Sequence, residues 1–171
     1  DGSSWTAANI AASSGSSNAD RPESVFAADI DGDGDMDVVS ASRNDNTIAW
    51  YENNNGDGSS WTAANIVTNK NDAHSVFAAD IDGDGDMDIV SASAGDDTIA
   101  WYENNGDPNP SFTAANISTS AENVQSVFAA DMDGDGDMDI VSPDNDINDE
   151  SVVWYENNNG DGSSWTATDI A

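Results

Sequence analysis

Asp80-Ile81-Asp82-Gly83-Asp84-Gly85-Asp86-Met87-Asp88 puts five carboxylates on the odd positions of nine residues, and the pattern returns at residues 29–37 and, with Met132 for the isoleucine, at 131–139. Crowded carboxylates repel one another unless a cation sits among them. The residues between them are too small or too apolar to compete for it, so the donors are hard oxygens. Calcium accepts six to eight oxygens at flexible geometry, so Asp80, Asp82 and Asp84 can supply side chains from one tight turn that Gly85 allows to reverse. Asp86 then offers its carbonyl and Asp88 its carboxylate. Magnesium suits the loop less well, because it holds on to its water. An EF-hand is excluded: its twelfth position requires a bidentate Glu, and here the twelfth residues are Ser40, Ser91 and Ser142.

What flanks each loop is short and β-prone, Ser-Val-Phe-Ala-Ala before it and Val/Ile-Val-Ser after it, without helical periodicity. The loop therefore joins two strands. Asp29 to Asp80 is 51 residues and Asp80 to Asp131 is 51, while Trp50 to Trp101 is 51 and Trp101 to Trp154 is 53. A period near fifty marks a solenoid or a propeller. The middle copy resolves into four β segments, 75–79, 87–93, 98–103 and 111–117, separated by turn-forming residues. Four antiparallel strands per repeat make one propeller blade. Side-chain size agrees with that: the first segment carries paired alanines, and the third and fourth carry Trp50-Tyr51, Trp61 and their counterparts. A blade is a wedge, crowded at the axis and filled by large rings further out. The fold expected is all-β, with three four-stranded blades at 24–66, 75–117 and 126–171. Residues 1–10 would form an extra outer strand, and 11–23 a connector.

The run Ala-Asp-Ile-Asp-Gly-Asp-Gly-Asp-Met-Asp-Val-Val-Ser-Ala-Ser, followed by Thr-Ile-Ala-Trp-Tyr-Glu-Asn, resembles the FG-GAP or VCBS-type repeat of bacterial and algal secreted proteins. It is similar to the blades of the integrin alpha-subunit propeller. The resemblance implies a calcium site on one rim of each blade, about one ion per repeat and three per chain. Carried over residue by residue, the ligands are Asp29, Asp31, Asp33, Asp35 by its carbonyl, and Asp37; then Asp80, Asp82, Asp84, Asp86 and Asp88; then Asp131, Asp133, Asp135, Asp137 and Asp139. The phenylalanine-glycine and glycine-alanine-proline signatures of the integrin version are missing, so an integrin-type partner surface does not transfer.

Lys and Arg number 3 against 34 Asp and Glu, a formal net charge of −31. Arg21, Arg43 and Lys70 cannot neutralise a phosphate surface, which disfavours nucleic acid and anionic membrane as partners. The acidity reads as a well-hydrated surface suited to salty water. Cysteine is absent, so compartment is inferred from calcium instead: such loops fill outside the cell, where the ion is millimolar. With no leader or membrane span, the chain reads as a processed or excised piece of a secreted protein. Three blades fall short of the four to eight that close a propeller, so a homo-oligomer is expected, with six blades in a dimer.

Catalysis is hard to build from these residues. His74 is the sole histidine, with Glu23 and Gln125 at its equivalent positions, and reads as a surface imidazole. The carboxylates are committed to metal. Residues 143–150 read as an acidic loop two residues longer than its counterparts. Three readings of function remain: a non-enzymatic scaffold, adhesion or protein-binding module; a lectin-like propeller with tryptophans as sugar platforms; and an amplified or designed repeat without an evolved ligand.

Overall fold

The computed structural model describes residues 7–11, 19–146 and 149–170. These hold three antiparallel four-stranded sheets. The first contains β1 (Pro22–Ala28), β2 (Asp37–Ser42), β3 (Thr47–Asn53) and β4 (Trp61–Val67). The second contains β5 (Ala73–Ala79), β6 (Asp88–Ser93), β7 (Thr98–Asn104) and β8 (Phe112–Ser118). The third contains β9 (Phe128–Ala130), β10 (Asp139–Asp146), β11 (Asp149–Asn157) and β12 (Trp165–Asp169). Strands pair in chain order within each sheet, as blades do, and the three sheets do not close on themselves. The extra outer strand expected at 1–10 lies mostly outside the described residues; 7–10 form no strand. Pro22 and Glu23, expected in the connector, open β1.

Each blade is too thin to bury a core alone, and the apolar clusters lie between blades. Ile30, Val39, Ile48 and Trp50 of the first blade pack with Val76, Ile89, Ala100 and Tyr102 of the second. Ile81, Val90, Ile99 and Trp101 pack in the same way with Val127, Ile140, Val153 and Tyr155 of the third. The two innermost strands of the first junction, β1 and β5, lie against each other, and β5 also touches β9. Alternation along these strands explains the arrangement: successive side chains point to opposite faces, so one residue set meets the preceding blade and the other meets the following one.

At the rim opposite the aspartate loops, the β2–β3 turns fasten the connections between blades. Asn46 accepts Lys70 N–H at its carbonyl (2.9 Å) and Asp72 N–H at its side chain (3.1 Å). Asp97 accepts from Ala121 and Asn123 in the same way, at 3.0 Å each. Both turn residues take positive φ, which Asn and Asp tolerate. Arg43 spans the same seam and makes a bidentate contact with Asp72.

The third blade departs from expectation at 143–150. Residues 143–146 and 149–150 are strand rather than loop, with Pro143 opposite Val152, Asp144 opposite Ser151, and Asp146 opposite Asp149, and residues 147 and 148 lie outside the described residues. An insertion of two residues extends a two-strand ladder by whole pairs, and that register outweighs the weak β propensity of Asp and Asn.

Candidate metal centres in the inner hairpins

Each aspartate loop connects the two innermost strands of its blade. Its conformation is written by the aspartates themselves, the third and fifth of the nine positions accepting the backbone N–H two residues on. Asp84 N–H donates to Asp82 Oδ1 at 3.2 Å, and Asp86 N–H to Asp84 Oδ1 at 2.9 Å. Asp80 anchors the start, taking Gly83 N–H at 2.8 Å and Gly85 N–H at 3.1 Å. Both glycines have positive φ, 77° and 99°, which explains why no larger residue stands there.

This winding gathers the first, third and fifth positions. Asp29, Asp31 and Asp33 can present carboxylate oxygens all within 4.8 Å of one another, as can Asp80, Asp82 and Asp84, and Asp131, Asp133 and Asp135. The seventh side chain turns elsewhere: a Cβ on Gly56, Gly106 or Gly160 of the β3–β4-type turn would overlap the carboxylate of Asp35, Asp86 or Asp137. The ninth aspartate is buried beneath the loop. Asp37 accepts Ile30 N–H (3.2 Å) and Trp50 Nε1–H (3.1 Å) on one oxygen, and Asn53 N–H (2.8 Å) on the other. Asp88 takes Ile81 and Asn104 N–H, and Asp139 takes Met132 and Asn157 N–H. These three residues stand outside the triplets and tie each loop to its blade's third strand.

The electrostatics are those of a site short of positive charge. Burial raises the Asp31 and Asp82 carboxyls above 3.8, and neighbouring carboxylates add to the shift. Asp137 is raised by burial and then by Asp135, Asp131, Asp139 and Asp133. Asp88 is pushed up to about 7 by burial, against the pull of its N–H donors. In the first loop, Asp29 Oδ1 is buried without a hydrogen-bond partner. Three convergent carboxylates and an orphaned buried oxygen suit a hard divalent cation, and an all-oxygen donor set of this flexibility suits calcium.

Sequence reasoning missed Asn53, Asn104 and Asn157, the last residue of each Trp-Tyr-Glu-Asn run. Asn104 donates from its amide to Met87 O in its own loop and, at 2.8 Å, to Ile30 O in the loop of the preceding blade. Asn157 does the same to Met138 O and, at 2.9 Å, to Ile81 O. Their recurrence beside the aromatics was the available signal. His74 is no surface imidazole: its side chain is mostly buried and lies 3.5 Å from Asp72, in the seam bound by Arg43. Trp50 and Trp101 are buried between blades, which removes them as sugar platforms. A cleft of about 140 Å³ between the second and third loops is lined by residues such as Asp80, Gly83, Asp137 and Gly160, with no aromatic ring.

Antiparallel four-stranded blades, each with an aspartate-rich loop in its inner hairpin, define a propeller-type repeat protein. The FG-GAP-like repeat matches residues 29–91 and 82–142, more than half of the chain, and the chain belongs to that family. No curated protein matches it. FG-GAP repeats point to a propeller-like protein-binding module, are typical of extracellular proteins and often bind calcium. No helix among the described residues is long and apolar enough to cross a membrane.

Proposed function

We propose that the chain is a calcium-stabilised, non-enzymatic β-propeller module that works outside the cell as a scaffold or adhesion element and binds other proteins. The observation that carries this reading is the threefold repetition of one carboxylate triplet at equivalent places in three blades. Three sites of one design serve a common structural purpose, whereas catalysis needs one differentiated centre. The sole histidine is engaged at a blade seam, and cysteine nucleophiles are absent. The triplets suit millimolar calcium, which supports an extracellular setting.

Calorimetric titration of the chelated protein tests the reading. Calcium is expected to bind at about three ions per chain, one per repeat, and magnesium much more weakly. A flat calcium titration would remove the metal from this account.

A further inference from the structure

We propose that the two open faces of the three-blade arc are the two halves of one interface, and that a second copy of this chain fills both to close a six-bladed ring. The proposal rests on the propeller reading of the fold and is independent of the calcium reading. At both junctions inside the chain, the same positions are buried by the same kind of neighbour, and where the neighbour is missing those positions are bare. Val76 and Val127 face the preceding blade and are 3% and 5% exposed, whereas Val25 is 65% exposed. Ala27 is likewise exposed where Ala78 and Ala129 are buried. On the other side, Ile30 and Ile81 face the following blade and are 2% and 1% exposed, but Met132 is 47% exposed. Phe26 lies 4.5 Å from Phe77, and Phe77 lies 4.9 Å from Phe128, which ends the stack with 56% of its surface open.

The polar bonds across the junctions stop at the same two places. Asn104 and Asn157 each reach the preceding blade's loop carbonyl, at Ile30 and Ile81. Among the described residues, the Asn53 amide donates only to Met36 O of its own loop, and the Met132 carbonyl is the counterpart that no asparagine reaches. Val76 N–H donates to Ser24 Oγ and Val127 N–H to Ser75 Oγ, both at 3.3 Å, which leaves Val25 N–H and Ser126 Oγ as the matching pair. The chain therefore carries a backward-facing half-junction on its first blade and a forward-facing one on its third. Apolar faces of this kind mark interaction surfaces. Each half is the complement of the other, and two copies related by a two-fold axis bring both pairs together. Six blades fall within the four to eight that close a propeller. In the ring, Asn53 donates to the Met132 carbonyl of the second copy.

Light scattering on the full chain at saturating calcium, over a wide concentration range, tests the proposal. The expected mass is twice that of one chain. A single-chain mass, or a mass that climbs past two chains with concentration, overturns it. Val25→Asp and Phe128→Asp, made separately, are expected to give single-chain mass with unchanged far-ultraviolet dichroism and unchanged calcium stoichiometry, because both side chains stand largely in solvent in the lone chain and neither lies in an aspartate loop. If both variants keep the doubled mass, the copies meet elsewhere and the proposal fails. A wild-type monomer that still binds calcium sinks the ring alone, and a dimer that takes up no calcium sinks the metal reading alone.

Discussion

Asp82 and Asp88 stand six residues apart in one loop and hold different positions in it. Asp82 belongs to the triplet, while Asp88 lies beneath it and holds the loop to Asn104 and Ile81. Asp82→Ala is therefore expected to abolish one calcium site and leave the other two nearly intact, since each triplet sits in its own blade; titration would show about two ions per chain. Asn104→Ala removes donors from the carbonyls of Ile30 and Met87 and is expected to cost about 2–3 kcal/mol in denaturant unfolding. The alternation of aspartates made the triplet residues legible in the sequence. The backbone N–H groups that the ninth aspartate gathers were not, because spacing alone does not say which oxygens the backbone claims.

The strands themselves were legible almost throughout, since turn-forming residues bracket each one and β-branched and aromatic residues fill it. The hairpin of β10 and β11 was the exception. Its Asp- and Asn-rich composition reads as loop, and only the pairing partner supplies the register that makes it strand. The seams between blades were equally hidden, because they join residues far apart in the chain. Arg43 and Asp72 form one such seam, and the guanidinium holds the Asp72 carboxyl below its ordinary 3.8, with His74 adding a smaller effect. A carboxyl lowered on folding stabilises the protein above its unfolded value, and that gain is lost as pH falls through the lowered folded value. Asp72→Asn is expected to destabilise by about 0.5–1 kcal/mol near neutrality, the pair being partly solvated. The gap from wild type should close on acidification below 3.8, as followed by urea unfolding at several pH values.

For the molecule as a whole, the repeat period announced three blades, and the gradient from alanines to aromatic rings announced packing in the gaps between them, where the apolar clusters lie. That placement makes stability a matter of neighbours, to which the proposed calcium sites would add. At a calcium concentration 100 times Kd, each site adds about 2.7 kcal/mol. At roughly 2–4 °C per kcal/mol for a chain of this size, chelation is expected to lower Tm by on the order of 20 °C, with recovery on adding calcium back. A melt indifferent to chelator would mean that the loops hold their shape unaided. The alternation along β1, β5 and β9 reaches further than stability. It makes every blade a plug on one side and a socket on the other, and two plugs cannot mate. Assembly from such pieces runs in one rotational sense only, and a duplication of one 51-residue unit delivers a part already cut to fit whatever stands before and behind it.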